Sequence, residues 1–307
     1  MNSTHVTISR RGAERARAGH LWIYRSDVRD AANVSAGAVV RVRDERGRHV
    51  CQALWSARSE IALRVLSLGE EVIDREWWRA RLRRAIERRA RLTEGADAYR
   101  LVYAEGDLLP ALIVDRYADV LVVQTLAQGT DALKGALVEL LVEETGARAV
   151  VERNDVRVRA LEGLEMKAGV LYGEAPGEME VSQHGVRFRV APLAGQKTGA
   201  FLDQRENHQA ARAYARGRAL DCFTFDGGFA LSVAPACDSV EGLDISAEAV
   251  AAARRNAELN SASHVTFREA NVFDALRELE AAGGQFDTVV LDPPGLSSLS
   301  ARRLISL

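Results

Sequence analysis

The 307-residue sequence has few residues that could cross-link or anchor a chain. Its three cysteines, Cys51, Cys222 and Cys237, are an odd number without metal-like spacing, so we predict reduced thiols in a cytoplasmic protein and no metal site. No apolar run approaches the roughly 18 residues of a membrane span, so we expect no membrane partner. The segment 1–5 lacks the basic and apolar regions of a secretory signal.

Lysine is also scarce, and arginine carries the basic charge unevenly along the chain. The net charge of −2 is the balance of +8 in residues 1–100 and −10 in the remainder. A basic N-terminal third is typical of a module that binds a polyanion such as nucleic acid. A basic helix whose arginines are only solvated explains the charge equally well. Seven arginines lie close together: Arg79, Arg81, Arg83, Arg84, Arg88, Arg89 and Arg91.

Three segments differ in pattern, and we predict an α/β protein with three domains. Residues 1–74 contain short alternating strands and turn signals, which favour a small β-barrel. Residues 75–190 begin with a basic amphipathic helix predicted over 75–95, with Asp74 as its N-cap, and continue as a central α/β domain. Residues 191–307 alternate apolar strands with helical segments, as a doubly wound sheet does. The best-defined strands are predicted at 38–43, 49–55, 61–66, 112–117, 120–125 and 149–152.

The last segment has acidic residues and glycines where its predicted strands end. Asp221 closes the first strand, and Gly227 follows in a glycine turn that lets the backbone approach a ligand. Asp244 closes the second strand, where an acid can accept hydrogen bonds from both ribose hydroxyls. The turn lacks the G-x-G-x-x-G spacing of dinucleotide sites, so the pattern favours a ribose-bearing cofactor without a pyrophosphate.

Two further strands of this segment end in polar groups. Asn271 and Val272 follow the third strand and could contact an adenine, although Asn271 could equally cap a helix. Asp292, Pro293 and Pro294 follow the apolar fourth strand and are expected to face a planar polar group such as a nucleobase. A rigid exit turn is the alternative.

A polar loop rich in glycine precedes this sheet at 195–205. Such a loop is costly to order unless it binds a ligand. The sequence Gly-Gln-Lys-Thr-Gly-Ala-Phe-Leu-Asp-Gln-Arg contains Lys197, one of three lysines in the chain.

Together these motifs make the chain similar to the PUA-domain-containing, S-adenosylmethionine-dependent large-subunit ribosomal RNA methyltransferases, which make 5-methylcytosine. The resemblance covers essentially the whole chain: His20 to Tyr24 in the PUA barrel, 101–117 in the central domain and 195–207 in the cofactor domain. It implies S-adenosylmethionine as cofactor and ribosomal RNA as partner. Asp292, Pro293 and Pro294 would face the target base. The implied cofactor residues are Lys197, Thr198, Phe201, Asp203, Arg205, Asp221, Phe223, Gly227, Asp244, Ile245, Asn271 and Val272.

The chain departs from this family in three places. His208 and Asp226 stand where arginine and threonine are usual. The family's nucleophilic cysteine would lie beyond Leu307, so we expect a truncated and inactive form with an apolar sheet edge. Carbon 5 of cytosine needs a thiolate added at carbon 6, and Cys222 and Cys237 are expected only to pack.

Two alternatives to cytosine methylation remain open. An enzyme that methylates an exocyclic amine would need no cysteine, and an RNA-binding protein could retain a vestigial methyltransferase domain. The sequence also leaves the oligomeric state open, a homodimer included.

Overall fold

The computed structural model describes residues 5–194 and 200–293 and divides into two units. The first comprises Met1–Glu178 with Ala191–Ala200, and the second Met179–Val190 with Phe201–Leu307. Residues 179–190 therefore group with the second unit, while the sequence-based boundaries after residues 74 and 190 stay a prediction. Across the described part of the chain, no helix combines the length and apolar character needed to span a bilayer.

The first unit begins with a six-stranded sheet in the order β2-β6-β5-β4-β1-β3. In β4 alternate residues are buried, which is the period-2 pattern predicted from the sequence. Helix α1 begins at Ser9, whose hydroxyl accepts the Gly12 amide at 3.0 Å. The elements are β1 (His5–Ile8), α1 (Arg10–Arg17), β2 (Trp22–Tyr24), β3 (Val28–Asp30), β4 (Val39–Asp44), β5 (His49–Trp55) and β6 (Ile61–Ser67).

The same unit contains a five-stranded sheet in the order β11-β10-β9-β8-β7. Strands β9 and β10 run parallel, and the other neighbours are antiparallel. The core joins apolar residues of this sheet to α2 and α4. The elements are α2 (Arg75–Ala90), β7 (Ala98–Tyr103), β8 (Leu112–Tyr117), β9 (Val120–Thr125), α3 (Gln128–Ala132), α4 (Lys134–Thr145), β10 (Ala149–Arg153), α5 (Val158–Glu162) and β11 (Ala168–Gly173).

Much of the arginine cluster on α2 is neutralised within the first unit. Arg79 contacts Glu144 of α4 at 2.7 Å, and Arg83 contacts the same carboxylate at 2.6 Å. Arg89 forms a two-pronged ion pair with Asp107, at 2.6 and 2.7 Å. These contacts explain much of the local arginine excess as helix docking, so the charge of α2 is weaker evidence for nucleic-acid binding than the sequence suggested.

The second unit is built on a parallel sheet in the order β16-β15-β14-β17, beside the hairpin β12-β13. These are the four strands predicted for the cofactor domain. Because they are parallel, their carboxyl ends meet at one edge of the sheet. The elements are β12 (Met179–Gln183), β13 (Val186–Val190), α6 (Arg205–Arg212), β14 (Arg218–Cys222), α7 (Gly228–Val233), β15 (Ser239–Asp244), α8 (Ala247–Leu259), β16 (Val265–Glu269), α9 (Val272–Ala281) and β17 (Thr288–Leu291).

Asn256 of α8 ties the hairpin to the cofactor side of the sheet. Its side-chain oxygen accepts the Arg189 amide of β13 at 3.0 Å, and its nitrogen donates to the Asp226 carbonyl at 2.9 Å. The side chain is buried, so both backbone groups depend on it.

Replacing Asn256 with alanine is expected to lower the unfolding free energy by about 1–3 kcal/mol, because two backbone groups lose their partner. Thermal unfolding of the variant measures this loss. Asn260 also bonds β13, but its hydrogen bonds to Arg187 are exposed to solvent, so Asn260→Ala is the matched control and should cost less. Equal losses in the two variants would contradict the role given to burial.

Candidate functional site

Asp221 lies at the centre of the carboxyl edge, where β14 ends. Its Oδ2 accepts the Thr224 hydroxyl at 2.6 Å and the Ala230 amide at 2.9 Å. Its Oδ1 is buried and has no hydrogen-bond partner among the residues that the structure describes. The pKa of the carboxyl is raised to about 7, mainly by burial and in smaller part by the nearby charges of Asp292 and Asp226. The site therefore holds a buried acceptor that a cationic donor would satisfy.

The turn after β14 has a backbone that tolerates little added volume. Phe223, Phe225 and Gly227 have φ values of 65°, 51° and 88°, all left-handed. A Cβ atom at Gly227 would lie 3.1 Å from the Phe267 ring, and one at Gly228 would lie 2.5 Å from the His208 ring. Glycine is needed here because of both φ and space.

Asp244 ends β15, the neighbour of β14, and faces the same turn. Its Oδ2 accepts the Phe225 amide at 2.9 Å, and its Oδ1 accepts the Ser246 amide at 2.9 Å. A carboxylate has about four acceptor positions, so two remain for further donors such as vicinal hydroxyls. The next residue, Ile245, leaves 68% of its surface in solvent, an unusual exposure for a large aliphatic side chain.

Asn271 and Val272 have different environments at the end of β16. The side-chain oxygen of Asn271 accepts the Phe273 amide at 3.0 Å and caps α9, the alternative considered from the sequence. Its side-chain nitrogen has no partner within residues 5–194 and 200–293. Val272 is buried in the core. The Phe273 ring lies 5.9 Å from the Phe223 ring, so these two aromatics add an apolar surface beside the turn.

Asp292 and Pro293 follow β17 on the other side of β14. Gln204 donates through Nε2 to Asp292 Oδ2 at 2.7 Å, which links the segment before α6 to the end of β17. Asp292 is exposed, so its carboxylate is accessible to a second molecule. Pro294, Lys197 and Thr198 lie outside the described residues.

The segment before α6 brings Phe201 to the turn and leaves Asp203 outside the core. The Phe201 ring lies 4.7 Å from the Phe225 ring in an edge-to-face arrangement. Asp203 is exposed in a 3-10 turn, and Arg205 is buried with its Nε donating to Glu206 at 3.0 Å. Of the predicted residues, Phe201, Phe223, Gly227 and Asp244 thus meet around the same turn.

Sequence reasoning missed Gln204, Thr224 and Phe225. Gln204 belongs to the polar loop that was recognised, but nothing in the sequence links it to Asp292, 88 residues later. Thr224 and Phe225 fall inside the recognised glycine turn, and their roles depend on which way that turn folds. A signal for Thr224 was its position between two acids at a strand end, where a hydroxyl can donate locally.

The thiols nearest this edge are not activated. Burial raises the pKa of the Cys222 thiol to about 11, and the neighbouring Asp221 raises it too. Burial also raises the pKa of Cys237. Both residues would be mostly protonated near neutral pH, which agrees with the packing role expected for them. Within the described ranges, no cluster of three or more histidine, cysteine or acidic residues could hold a metal.

The arrangement fits a nucleoside that carries a cationic amino acid. Asp221 offers a buried oxygen to an ammonium group, and Asp244 offers free acceptor positions to ribose hydroxyls. The bare backbone at Gly227 permits close approach, while Phe223, Phe273 and Ile245 provide apolar surface for a flat ring. S-adenosylmethionine combines these groups.

Comparisons with known proteins agree with this cofactor class. Residues 6–68 match the PUA-like domain family, and residues 107–302 match the S-adenosylmethionine-dependent methyltransferase family. The chain is 38% identical over 292 residues to the "Ribosomal RNA large subunit methyltransferase I" of Shewanella amazonensis, covering 92% of this chain and 74% of the relative. It is also 38% identical over 295 residues to the protein of that name from Aeromonas hydrophila, covering 93% and 74%.

Solved structures support the fold. A protein from Streptococcus mutans described as a SAM-dependent methyltransferase has a TM-score of 0.78 at 18% identity, covering 94% of this chain and 77% of its own. A methyltransferase complexed with SAH has a TM-score of 0.80 at 16% identity, covering 95% and 77%. The chain therefore belongs to the S-adenosylmethionine-dependent methyltransferases, in the group that has a PUA-like domain and includes the ribosomal RNA large subunit methyltransferases I.

Proposed function

We propose that the chain methylates large-subunit ribosomal RNA, with cytosine carbon 5 as the acceptor that the family resemblance implies. The part of the proposal that concerns the cofactor rests on Asp221 and Asp244, which lie at the ends of adjacent strands. Asp221 has a buried oxygen without a hydrogen-bond partner in the described part of the chain, and Asp244 accepts two backbone amides there, which leaves about two acceptor positions for a ligand. The RNA half is supported by the names of the relatives and by the PUA-like domain.

In this proposal the cofactor supplies an electrophilic methyl group on a sulfonium. Asp221 binds the ammonium end, and Asp244 orients the ribose. Phe201 and Phe223 exclude water from the turn between them. Asp292, held by Gln204, and Pro293 border the place where the acceptor base would enter. By the resemblance, Lys197, Thr198, Asp203 and Arg205 complete the methionine side, and Pro294 completes the base side.

The choice of acceptor atom depends on whether a thiolate is available. Transfer to carbon 5 requires a thiolate that adds to carbon 6 of the ring. Cys222 and Cys237 have raised pKa values, so neither thiol provides one near neutral pH. This observation favours a second candidate, methylation of an exocyclic amine, in which the exposed Asp292 carboxylate would accept an N–H from the base.

The first test is calorimetric titration of the purified 307-residue chain with S-adenosylmethionine. Incubation with ribosomal RNA and methyl-labelled cofactor would follow, with digestion of the RNA to nucleosides. 5-Methylcytidine supports the lead proposal, and an N-methylated nucleoside supports the amine candidate. A folded chain that binds RNA but neither binds the cofactor nor transfers a methyl group would contradict both and favour the RNA-binding alternative.

A further inference from the structure

Two exposed aromatic side chains of the first unit contact the same short turn. Trp22 of β2 is 41% exposed, and Tyr103 at the end of β7 is 56% exposed. Both contact the 3-10 turn Ala104–Asp107 that follows β7. We call Trp22, Tyr103 and this turn the aromatic surface. Large aromatic side chains are usually buried, so two exposed rings at one turn call for an explanation.

Each ring is held in place by its neighbours. The Trp22 indole donates to Glu105 Oε1 at 2.9 Å. The guanidinium of Arg100 lies 5.5 Å from the centre of the Tyr103 ring, and the ring contacts the bare Cα of Gly106, where a Cβ atom would lie only 3.1 Å away. Stacking of a partner on these rings would cost the protein little side-chain entropy, because the rings are already ordered.

The charges beside the rings favour an anionic partner. Asp107 and Asp115 are almost fully buried, paired with Arg89 at 2.6 Å and with Arg100 at 2.8 Å. Arg88 near Asp107 leaves 64% of its side chain in solvent. The carboxylates are thus buried, while the side chains of Arg88 and Arg100 remain 64% and 32% exposed.

Glu105 is the third acid of the turn, and it is also compensated. The Oε1 atom of Glu105 lies 3.8 Å from the guanidinium of Arg64, whose side chain is nearly buried. The same oxygen accepts the indole N–H of Trp22. Tyr24, two residues after Trp22 on β2 and hence on the same face, has the Arg15 guanidinium 5.3 Å from its ring centre. Strand β2 therefore carries a second aromatic ring with a guanidinium group beside it.

We propose that the aromatic surface binds unpaired bases of the RNA by stacking, with the neighbouring arginines contacting phosphates. The inference rests on the RNA substrate proposed above. Exposed π-faces next to arginines are the chemistry that recognises single-stranded nucleic acid without sequence preference. Base pairs in an A-form duplex keep their faces covered, so a duplex could use only the arginines.

The test uses the full chain without cofactor and a fluorescent, unstructured RNA of about 12 adenosine and cytidine nucleotides, a length within the reach of such surfaces. Anisotropy titration should show that Trp22→Ala and Tyr103→Leu each weaken binding about 5- to 100-fold. Trp22→Phe and Tyr103→Phe keep an aromatic face and should stay within about threefold of the parent. A duplex RNA of equal length should respond little to any of the four variants.

Integrity of the first unit is checked by thermal unfolding, and S-adenosylmethionine binding should stay unchanged because both rings belong to the first unit. The inference is overturned if the parent binds single-stranded RNA and neither Trp22→Ala nor Tyr103→Leu weakens it. Equal losses for duplex RNA, or for the phenylalanine variants, would also overturn it. A parent chain that binds cofactor but no RNA of either form would instead contradict the proposed RNA substrate, and the inference with it.

Discussion

Asp244→Ala is expected to weaken S-adenosylmethionine binding by more than about 100-fold, because two charge-assisted hydrogen bonds to the ribose are each worth roughly 1.5–3 kcal/mol. The substitution also removes the acceptor that holds the Phe225 amide, so the turn beside the ligand loses an anchor. Calorimetric titration of the parent and variant chains measures the change in Kd.

Two controls separate ribose binding from general damage. Asp244→Asn keeps one acceptor oxygen and should bind more tightly than Asp244→Ala but less tightly than the parent. Asp274 is an exposed acid of the same unit that pairs with Arg277 at 3.0 Å, and Asp274→Ala should bind as the parent does. Parent-like affinity in a folded Asp244→Ala chain would remove Asp244 from the cofactor site.

The elements that sequence analysis predicts best are those with a strong local signal. The hairpin strands at 112–117 and 120–125 have the predicted bounds. Helix α2 starts after Asp74, whose carboxylate caps it, although it ends at Ala90 rather than near 95. Alternating burial, a capping acid and a two-residue turn each depend on neighbouring residues, so a single sequence contains them.

Features that depend on distant partners were not predictable. From the sequence alone, the guanidinium groups of Arg79 and Arg83 could bind a polyanion. In the fold, both contact the carboxylate of Glu144 on α4. The small β-barrel predicted for residues 1–74 corresponds to a six-stranded sheet, and barrel closure remains a prediction. In each case the sequence shows residue types, while the fold decides which residues meet.

The same distinction applies to the site. The acids at strand ends follow from the sequence pattern, which is why Asp221 and Asp244 could be selected. The burial of one oxygen of Asp221 is a tertiary fact that residue spacing does not encode, whereas the local cap that Asn271 provides was one of the two interpretations left open by the sequence. The cofactor class was therefore accessible from the sequence, whereas the protonation of the site was not.

Asp221→Asn is expected to abolish tight S-adenosylmethionine binding while raising the stability of the second unit at alkaline pH. In the parent, burial raises the pKa of this carboxyl to about 7, well above its unfolded value near 4. The native state thus keeps a proton between about pH 4 and 7 that the unfolded chain has released. This group's contribution to stability falls as pH rises through that window, and the full cost of the buried charge is present above pH 7.

Asparagine has no such charge, so the difference in melting temperature between variant and parent should grow from pH 5 to pH 8. The corresponding gain in unfolding free energy at pH 8 is about 1–3 kcal/mol, below the roughly 4 kcal/mol that three pKa units would allow, because asparagine buries an amide instead. Thermal unfolding of both chains at the two pH values measures it. A difference that stays constant from pH 5 to pH 8 would show that the carboxyl is ionised throughout.

The parent's affinity for the cofactor should rise with pH, whereas this carboxyl's contribution to stability falls. Ionised Asp221 attracts the ammonium group, so the parent should bind S-adenosylmethionine about tenfold more tightly at pH 7.5 than at pH 5.5, while Asp221→Asn binds weakly at both. The buried charge of this residue would then lower the stability of the free protein and increase its affinity for the ligand. Such a stability–function trade-off is common at preorganised binding sites. If the parent's affinity does not change with pH while its stability does, the charge is buried for another reason, and the ammonium contact assigned to Asp221 is wrong.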